Sequence, residues 1–268
     1  MRKIAVVNMK GGVGKTTTAV NLAAGLAARG RRVLLIDTDP QGNVGHALGV
    51  HPERGLLQLM RDEARPADVI VRGVRERLDI VASTTEAFAL ERQLGGVTQR
   101  ETILARRLRS VDGYDCVVLD SSPAMNLLTY NALLFADYVI VPVGMDSMAL
   151  IGARQTLNGV VEVQELWPDR GLELLAVLPT FVNPATVATR AALAALEADP
   201  QLNATLVRPG IRQCIDLTYA TARHQTIWEY APRSRAAEDY LALVDCVETG
   251  AHLREEAVDG QQEEESVV

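Results

Sequence analysis

Short apolar runs alternate along the chain with longer stretches whose apolar positions recur every three or four residues. The runs are Lys3–Val7, Val33–Ile36, Leu78–Val81, Cys116–Leu119, Tyr138–Val143 and Leu174–Leu178. Too short for helices and apolar on nearly consecutive positions, they read as strands covered on both faces. After a glycine-rich turn, Gly11–Gly14, a helix is predicted with Val20, Leu22, Ala23, Leu26 and Ala27 on its apolar face, broken at Gly30. Further helices are expected over Thr98–Arg109, Asn126–Phe135, Ser147–Leu166 and Thr186–Glu197, and a last one from about Arg235 to about Thr249. Strand, helix, strand repeated in this way predicts an α/β fold, a mainly parallel twisted sheet with helices on both faces. With no internal repeat and no linker, residues 1–250 read as one domain.

Composition narrows the classes. The chain of 268 residues is 48% hydrophobic, and its aromatic content of 4% argues against a protein that works by stacking bases or sugars. No apolar stretch approaches the roughly 18 residues of a membrane span, and Met1–Asn8 lacks the features of a signal peptide. Cys116, Cys214 and Cys246 are scattered and odd in number, which suits a reducing cytoplasm rather than a disulfide framework or a paired zinc motif. The net charge of −7 is concentrated at the end of the chain. Residues 251–268 hold six acids against Arg254, and read as an acidic, disordered tail. The remaining body is nearly neutral, so overall acidity does not bear on anion binding.

Chemistry enters at Lys10-Gly-Gly-Val-Gly-Lys-Thr-Thr17, placed after a strand and at a helix start. Glycines let backbone N–H groups close on phosphate oxygens, and the helix start adds unpaired donors and the positive end of its dipole. Within this loop (Gly11, Gly12, Val13, Gly14) Lys15 can reach the β and γ phosphates of a nucleotide, Thr16 can ligate Mg²⁺, and Thr17 steadies the α-phosphate side. The spelling departs from G-x-x-x-x-G-K-[ST]: Met9 holds the first glycine position and an additional lysine, Lys10, follows it. A cation there can stabilise charge on a transferring phosphoryl group, as an arginine finger does. Asp37 and Asp39 close one buried strand and Asp120 closes another. Such carboxylates can support Mg²⁺ or orient an attacking water, although an Asp at a strand end also serves as a turn or cap.

Together these residues resemble the deviant-Walker P-loop NTPases (the MinD/ParA superfamily), and most closely the ParA family of DNA-partitioning ATPases. The similarity lies in Lys10–Thr17, Asp37-Thr-Asp-Pro-Gln-Gly-Asn43, Asp120-Ser-Ser-Pro123 with Asn131-Ala-Leu133, and Glu229–Tyr240. It implies a cytoplasmic, nucleoid-associated Mg²⁺-dependent ATP hydrolase whose ATP-bound form is a sandwich homodimer. Lys10 of each subunit would reach the other's nucleotide, and Lys15 and Thr16 would bind phosphate and Mg²⁺. Asp39 would position the hydrolytic water beside the metal, Asp37 and Asp120 would support the metal, and Asn183 would lie near adenine. The resemblance also implies non-specific binding to double-stranded DNA and a ParB-type adaptor that stimulates hydrolysis, in the service of plasmid or chromosome partition. The sequence departs from the family in having Ser121-Ser-Pro123 where many relatives carry Cys-Pro-Pro, and Asp216 near an expected arginine.

A basic surface for DNA is offered by Arg212, Arg223, Arg233 and Arg235, extended by Arg190. Phosphate contacts need only clustered cations, and the same residues also read as a solvated face. Three alternatives stand beside partitioning. One is a ParA-like ATPase that positions a non-DNA cargo such as a protein compartment or chemosensory cluster. A MinD-like membrane cycle would need a basic amphipathic end, where this chain has Gln261-Gln-Glu-Glu-Glu265. An electron-transfer or metal-delivery relative would need a Cys-x-x-Cys pair, and none occurs.

Overall fold

The computed structural model describes residues 1–249. The acidic segment 251–268 lies outside the described residues. Among the described residues seven strands form one sheet: β1 Arg2–Val6, β2 Val33–Asp37, β3 Val71–Arg75, β4 Leu78–Val81, β5 Cys116–Asp120, β6 Tyr138–Gly144 and β7 Glu173–Thr180, in the order β3-β4-β2-β5-β1-β6-β7. All neighbours pair in parallel except β3 with β4. The helices that matter for the site are α1 Lys15–Ala28, α2 Asn43–Leu48, α3 Leu127–Phe135, α4 Ala149–Leu166, α5 Val187–Glu197, α6 Ile215–Ala222 and α7 Arg235–Thr249.

Each central strand sends alternate residues to opposite faces. Leu34, Ile36, Val117, Leu119, Val139 and Val141 pack beneath α3 and α4 in one core. Val33, Leu35, Cys116, Val118 and Ile140 pack beneath α1 and α7 in the other. Burial on both faces explains why these strands are apolar at every position. Among the described residues no helix is long and apolar enough to cross a membrane.

The pattern missed one strand and overextended one helix. Val71–Arg75 is an antiparallel edge strand whose side chains are half-buried or exposed, so it carries arginines instead of an apolar run. Within the expected helix over Thr98–Arg109, a 3₁₀ turn at Arg100–Thr102 leads into Ile103–Arg107. Buried Asn131 ties that kink to α3, accepting from the Leu104 amide at 2.9 Å and donating to the Arg100 carbonyl at 2.9 Å.

The topology places chemistry at one edge. Parallel register sets the Cα of Asp120 beside both Val6 and Asp37. The chain leaves β1 into α1 on one face and leaves β5 into α3 on the other, the switch point where open α/β sheets form crevices.

Candidate nucleotide-binding site

The loop from β1 to α1 turns through Gly12 (φ 72°) and Gly14 (φ 84°), left-handed conformations that glycine adopts without penalty. Gly14 is the N-cap of α1, and with no side-chain cap the first amides of the helix remain free for an anion. The loop is braced from behind. Buried Asn8 donates from Nδ2 to the Pro142 carbonyl at 2.6 Å and accepts the Lys10 amide at 2.8 Å. Thr156 on α4 accepts the Met9 amide at 3.0 Å, and Thr180 at the end of β7 donates to the Val13 carbonyl at 2.9 Å.

Lys15 is only 7% exposed and its Nζ donates to the Lys10 carbonyl at 2.9 Å. Burial lowers its pKa, opposed by the charges of Asp120 and Asp39. Thr16 donates its hydroxyl to Asp120 Oδ2 at 2.6 Å. Asp120 is fully buried and its pKa is raised to about 7, chiefly by desolvation, while the Thr16 bond pulls the other way. Among the described residues its Oδ1 has no hydrogen-bond partner. Asp37, equally buried, is raised well above the carboxylate range by desolvation and by Asp120 beside it. Both Asp37 oxygens are occupied, by the Asp39 amide at 3.0 Å and the Val44 amide at 3.1 Å. Asp37 therefore holds the turn that presents Asp39 rather than facing the cleft. Asp39 lines the cleft, with Oδ1 accepting the Gln41 amide at 3.0 Å.

These groups surround a cleft of about 610 Å³ lined by Gly11, Gly12, Gly14, Lys15, Thr16, Thr17 and Asp39, together with Ser122 and Asn126 from beyond β5. An adjoining cavity of about 760 Å³ shares Gly14, Thr17, Phe181 and His46 and is walled by Ile211, Ile215 and Leu217. A cationic end opening onto an apolar end suits a triphosphate joined to a flat base. Val13 does not line either space; it is buried under the loop. Asn183 also lies outside both, and donates from Nδ2 to Gln213 Oε1 at 3.3 Å, Gln213 being the residue at the cavity wall.

The donor set fits Mg²⁺. A buried carboxylate with one orphaned oxygen and its other oxygen on a threonine hydroxyl is what an ion between Thr16 and Asp120 would satisfy. The protein donors are too few to hold the ion alone, as is usual where phosphate oxygens and water complete the octahedron.

Lys10 stands apart. It does not line the cleft behind it; its stem lies against Gly152 of α4 and its ammonium pairs with Asp146 after β6. Met148 and Ile151 stand exposed beside this pair. Asp146 was not visible as a functional residue in the sequence, since an acid in a loop after a strand carries no signal until the fold sets it next to Lys10. Asn8 was more legible, as a buried amide closing an apolar run directly before the loop.

The basic residues separate into two kinds. Arg212 is committed within the fold: Nε donates to Asp239 at 2.9 Å and Nη2 to Glu238 at 3.0 Å, and Asp239 is buried. Arg212 thus neutralises that buried carboxylate while its side chain stays 35% exposed. Arg190, Arg223, Arg233 and Arg235 are exposed. Arg190 caps the Pro184 and Ala185 carbonyls at the foot of α5, and Arg223 lies over the Tyr230 ring at 5.4 Å.

Comparison with known proteins agrees with this geometry. A family model described as an AAA domain matches residues 1–171. The chromosome-partitioning ATPase Soj of Thermus thermophilus is 38% identical over 247 residues, 91% of this chain and 94% of that one. The sporulation initiation inhibitor protein Soj of Bacillus subtilis is 37% identical over 244 residues, 90% and 95% of the two chains. Among solved structures, a cobyrinic acid a,c-diamide synthase from Mycobacterium smegmatis with an ATP analogue and magnesium superposes with a TM-score of 0.81 at 30% identity, covering 94% of this chain and 98% of that one. McdA from Cyanothece, at 22% identity and a TM-score of 0.81, shows the shared fold. The likeness to the Soj proteins runs over nine-tenths of the chain rather than the phosphate loop alone, and on it the chain belongs to the ParA family of ATP-hydrolysing partitioning proteins.

Proposed function

We propose that this protein is a Mg²⁺-dependent ATPase that closes into an ATP-bound sandwich dimer, binds double-stranded DNA without sequence preference, and is released when a ParB-type adaptor stimulates hydrolysis. The observation that carries the dimer is the position of Lys10, outside its own phosphate cleft on a face flanked by exposed Met148 and Ile151. Delivered to a second copy, it can contact a phosphoryl group that its own fold keeps it from reaching. Lys15 and the loop amides hold the β and γ phosphates, and Asp39 holds the water that attacks. Thr16 and Asp120 would hold Mg²⁺, whose charge offsets that of the phosphates.

Two single variants test the assignment. Lys15→Ala loses nucleotide binding, while Asp39→Ala keeps ATP and dimerises but turns over more slowly by about 10²-fold or more. A mixture tests the exchange. Lys10→Ala and Asp39→Ala each hydrolyse poorly alone; if Lys10 acts across the interface, mixing them restores hydrolysis, because the Asp39-containing cleft receives its lysine from the other chain. No recovery on mixing, with mixed dimers shown to form, sinks the trans role.

The DNA face is the exposed set Arg190, Arg223, Arg233 and Arg235. Changed together to Glu, they should abolish retention on duplex at low salt. The second reading, a ParA-like ATPase positioning a non-DNA cargo, is favoured by one observation, the loss of Arg212 to Asp239 and Glu238. It prevails if the wild-type protein with ATP and Mg²⁺ is not retained on DNA.

A further inference from the structure

The phosphate cleft and the apolar cavity beside it meet at a few residues: Gly14, Thr17, His46, Phe181 and Thr221 line both. With the phosphates on the loop and the base in the apolar cavity, the sugar of the nucleotide crosses this junction. Gly14 and Phe181 offer it no side-chain hydrogen bond. The Thr221 hydroxyl is committed to the Leu217 carbonyl at 3.0 Å, and Thr17 stands in the first turn of α1, with the phosphates. His46 remains. It is exposed, and among the described residues its ring nitrogens have no hydrogen-bond partner.

The fold fixes where that imidazole stands. Helix α2 lies between two left-handed glycines, Gly42 (φ 70°) and Gly49 (φ 71°). Val44 and Leu48 are buried in the core, which turns Asn43 and His46, three residues apart, to the cleft. His224, just past α6, fastens α2 from the other side. Its ring meets His46 edge-on, with centroids 5.5 Å apart at 87°, and Nδ1 bonds the His46 carbonyl at 2.7 Å. A carbonyl only accepts, so Nδ1 carries the proton. His224 holds this position with φ 54°, and a Cβ on Gly49 would stand 3.1 Å from its own Cβ. The helix that walls the base cavity through Leu217 is thereby tied to the helix that carries His46.

We propose that His46 binds a ribose hydroxyl of the nucleotide through its free imidazole, and that His224 is the positioning residue that fixes its ring. This contact presupposes phosphates on the Gly11–Thr17 loop, as in the proposed ATPase. A neutral imidazole offers one donor and one acceptor, and each ribose hydroxyl both donates and accepts, so the two match in either tautomer. A sugar lacking the hydroxyl leaves the imidazole without its partner once the crevice is filled, and that loss is what discriminates. The consequence is a preference for ribonucleotides over deoxyribonucleotides, set by a residue outside the phosphate loop.

The test is equilibrium binding of ATP, 2′-deoxy-ATP and 3′-deoxy-ATP, each with Mg²⁺, to the full chain and its variants. The wild-type protein should bind ATP about three- to tenfold more tightly than at least one deoxy analogue. His46→Ala should weaken ATP by that same factor and leave the analogue unchanged, so that discrimination disappears. His224→Gly, which relaxes the left-handed backbone, should lose discrimination as well. His224→Asn should restore it, because its amide N–H replaces Nδ1–H and Asn tolerates that backbone region. Equal wild-type affinity for the three nucleotides, or discrimination that survives His46→Ala, overturns the ribose contact. Weakening of all three together in His224→Gly, with their ratios kept, overturns the positioning role. Failure of the phosphate-loop reading looks different: Lys15→Ala would then bind ATP as the wild-type protein does, whatever the outcome at His46.

Discussion

Asp120 is where residue chemistry decides most. Its folded pKa of about 7 lies above the roughly 3.9 of an unfolded aspartate. Below both values the folded and unfolded chains carry the same proton; between them the unfolded chain ionises while the folded one retains the proton. Stability of the metal-free protein should accordingly fall as pH rises from about 4 to about 7. Asp120→Asn should flatten that decline, and calorimetry in a chelator across this range checks it; an unaltered slope would mean that another group carries the titration. Asp37 behaves in the same sense through its burial beside Asp120, so part of the slope persists in the variant. Arg212 is the converse case, a charge whose burden is structural. Arg212→Ala leaves buried Asp239 without its counter-ion, and because the guanidinium is 35% exposed the cost is moderated to about 1–3 kcal/mol. Thermal unfolding measures it.

Among elements, α1 is the one that joins the site to the core. Its uncapped N-terminus faces the cleft and its middle packs on α7, with Gly25 at the crossing. A Cβ at Gly25 would stand 2.6 Å from Val244 Cγ2 and 2.9 Å from Trp228 Cζ2. Gly25→Ala gains up to about 1 kcal/mol of helix propensity but overpacks at about 1–3 kcal/mol. The expected outcome is a lower Tm; a rise would show that Val244 and Trp228 move aside at little cost. Sequence reading placed α1 and α7 because each pairs an apolar face with a clear stop or start. It lost β3, where an edge position in contact with solvent leaves no apolar run to read. It merged the 3₁₀ turn at Arg100–Thr102 into a helix because the tie from Asn131 is a contact between distant segments.

Across the whole molecule, the chemistry collects at one end of the sheet. The C-terminal edge gathers loop amides, two lysines and three carboxylates. Charge reversal at Arg190, Arg223, Arg233 and Arg235 should remove salt-sensitive DNA retention while leaving ATP binding intact, because none of the four lines the phosphate cleft. Loss of ATP binding in that variant would instead mean that the arginines support the fold. The site was legible where one segment carries both the ligand donors and the backbone that holds them, as Gly11–Thr17 does. It was less legible where donors meet from several strands.

The sequence by itself determined the doubly covered sheet, the phosphate loop and the candidate acids, because burial on two faces and close approach of backbone to phosphate restrict which residues can stand at each position. Tertiary structure alone decided what each charge faces. It set Lys10 on Asp146 outside its own cleft, turned Asp37 inward onto backbone amides, and left Asp120 with an unpartnered oxygen. It also committed Arg212 to Asp239. Hydrophobic pattern is periodic along the chain and can be read there, whereas the energy of a charge depends on its solvent and its neighbours, which only the folded arrangement supplies.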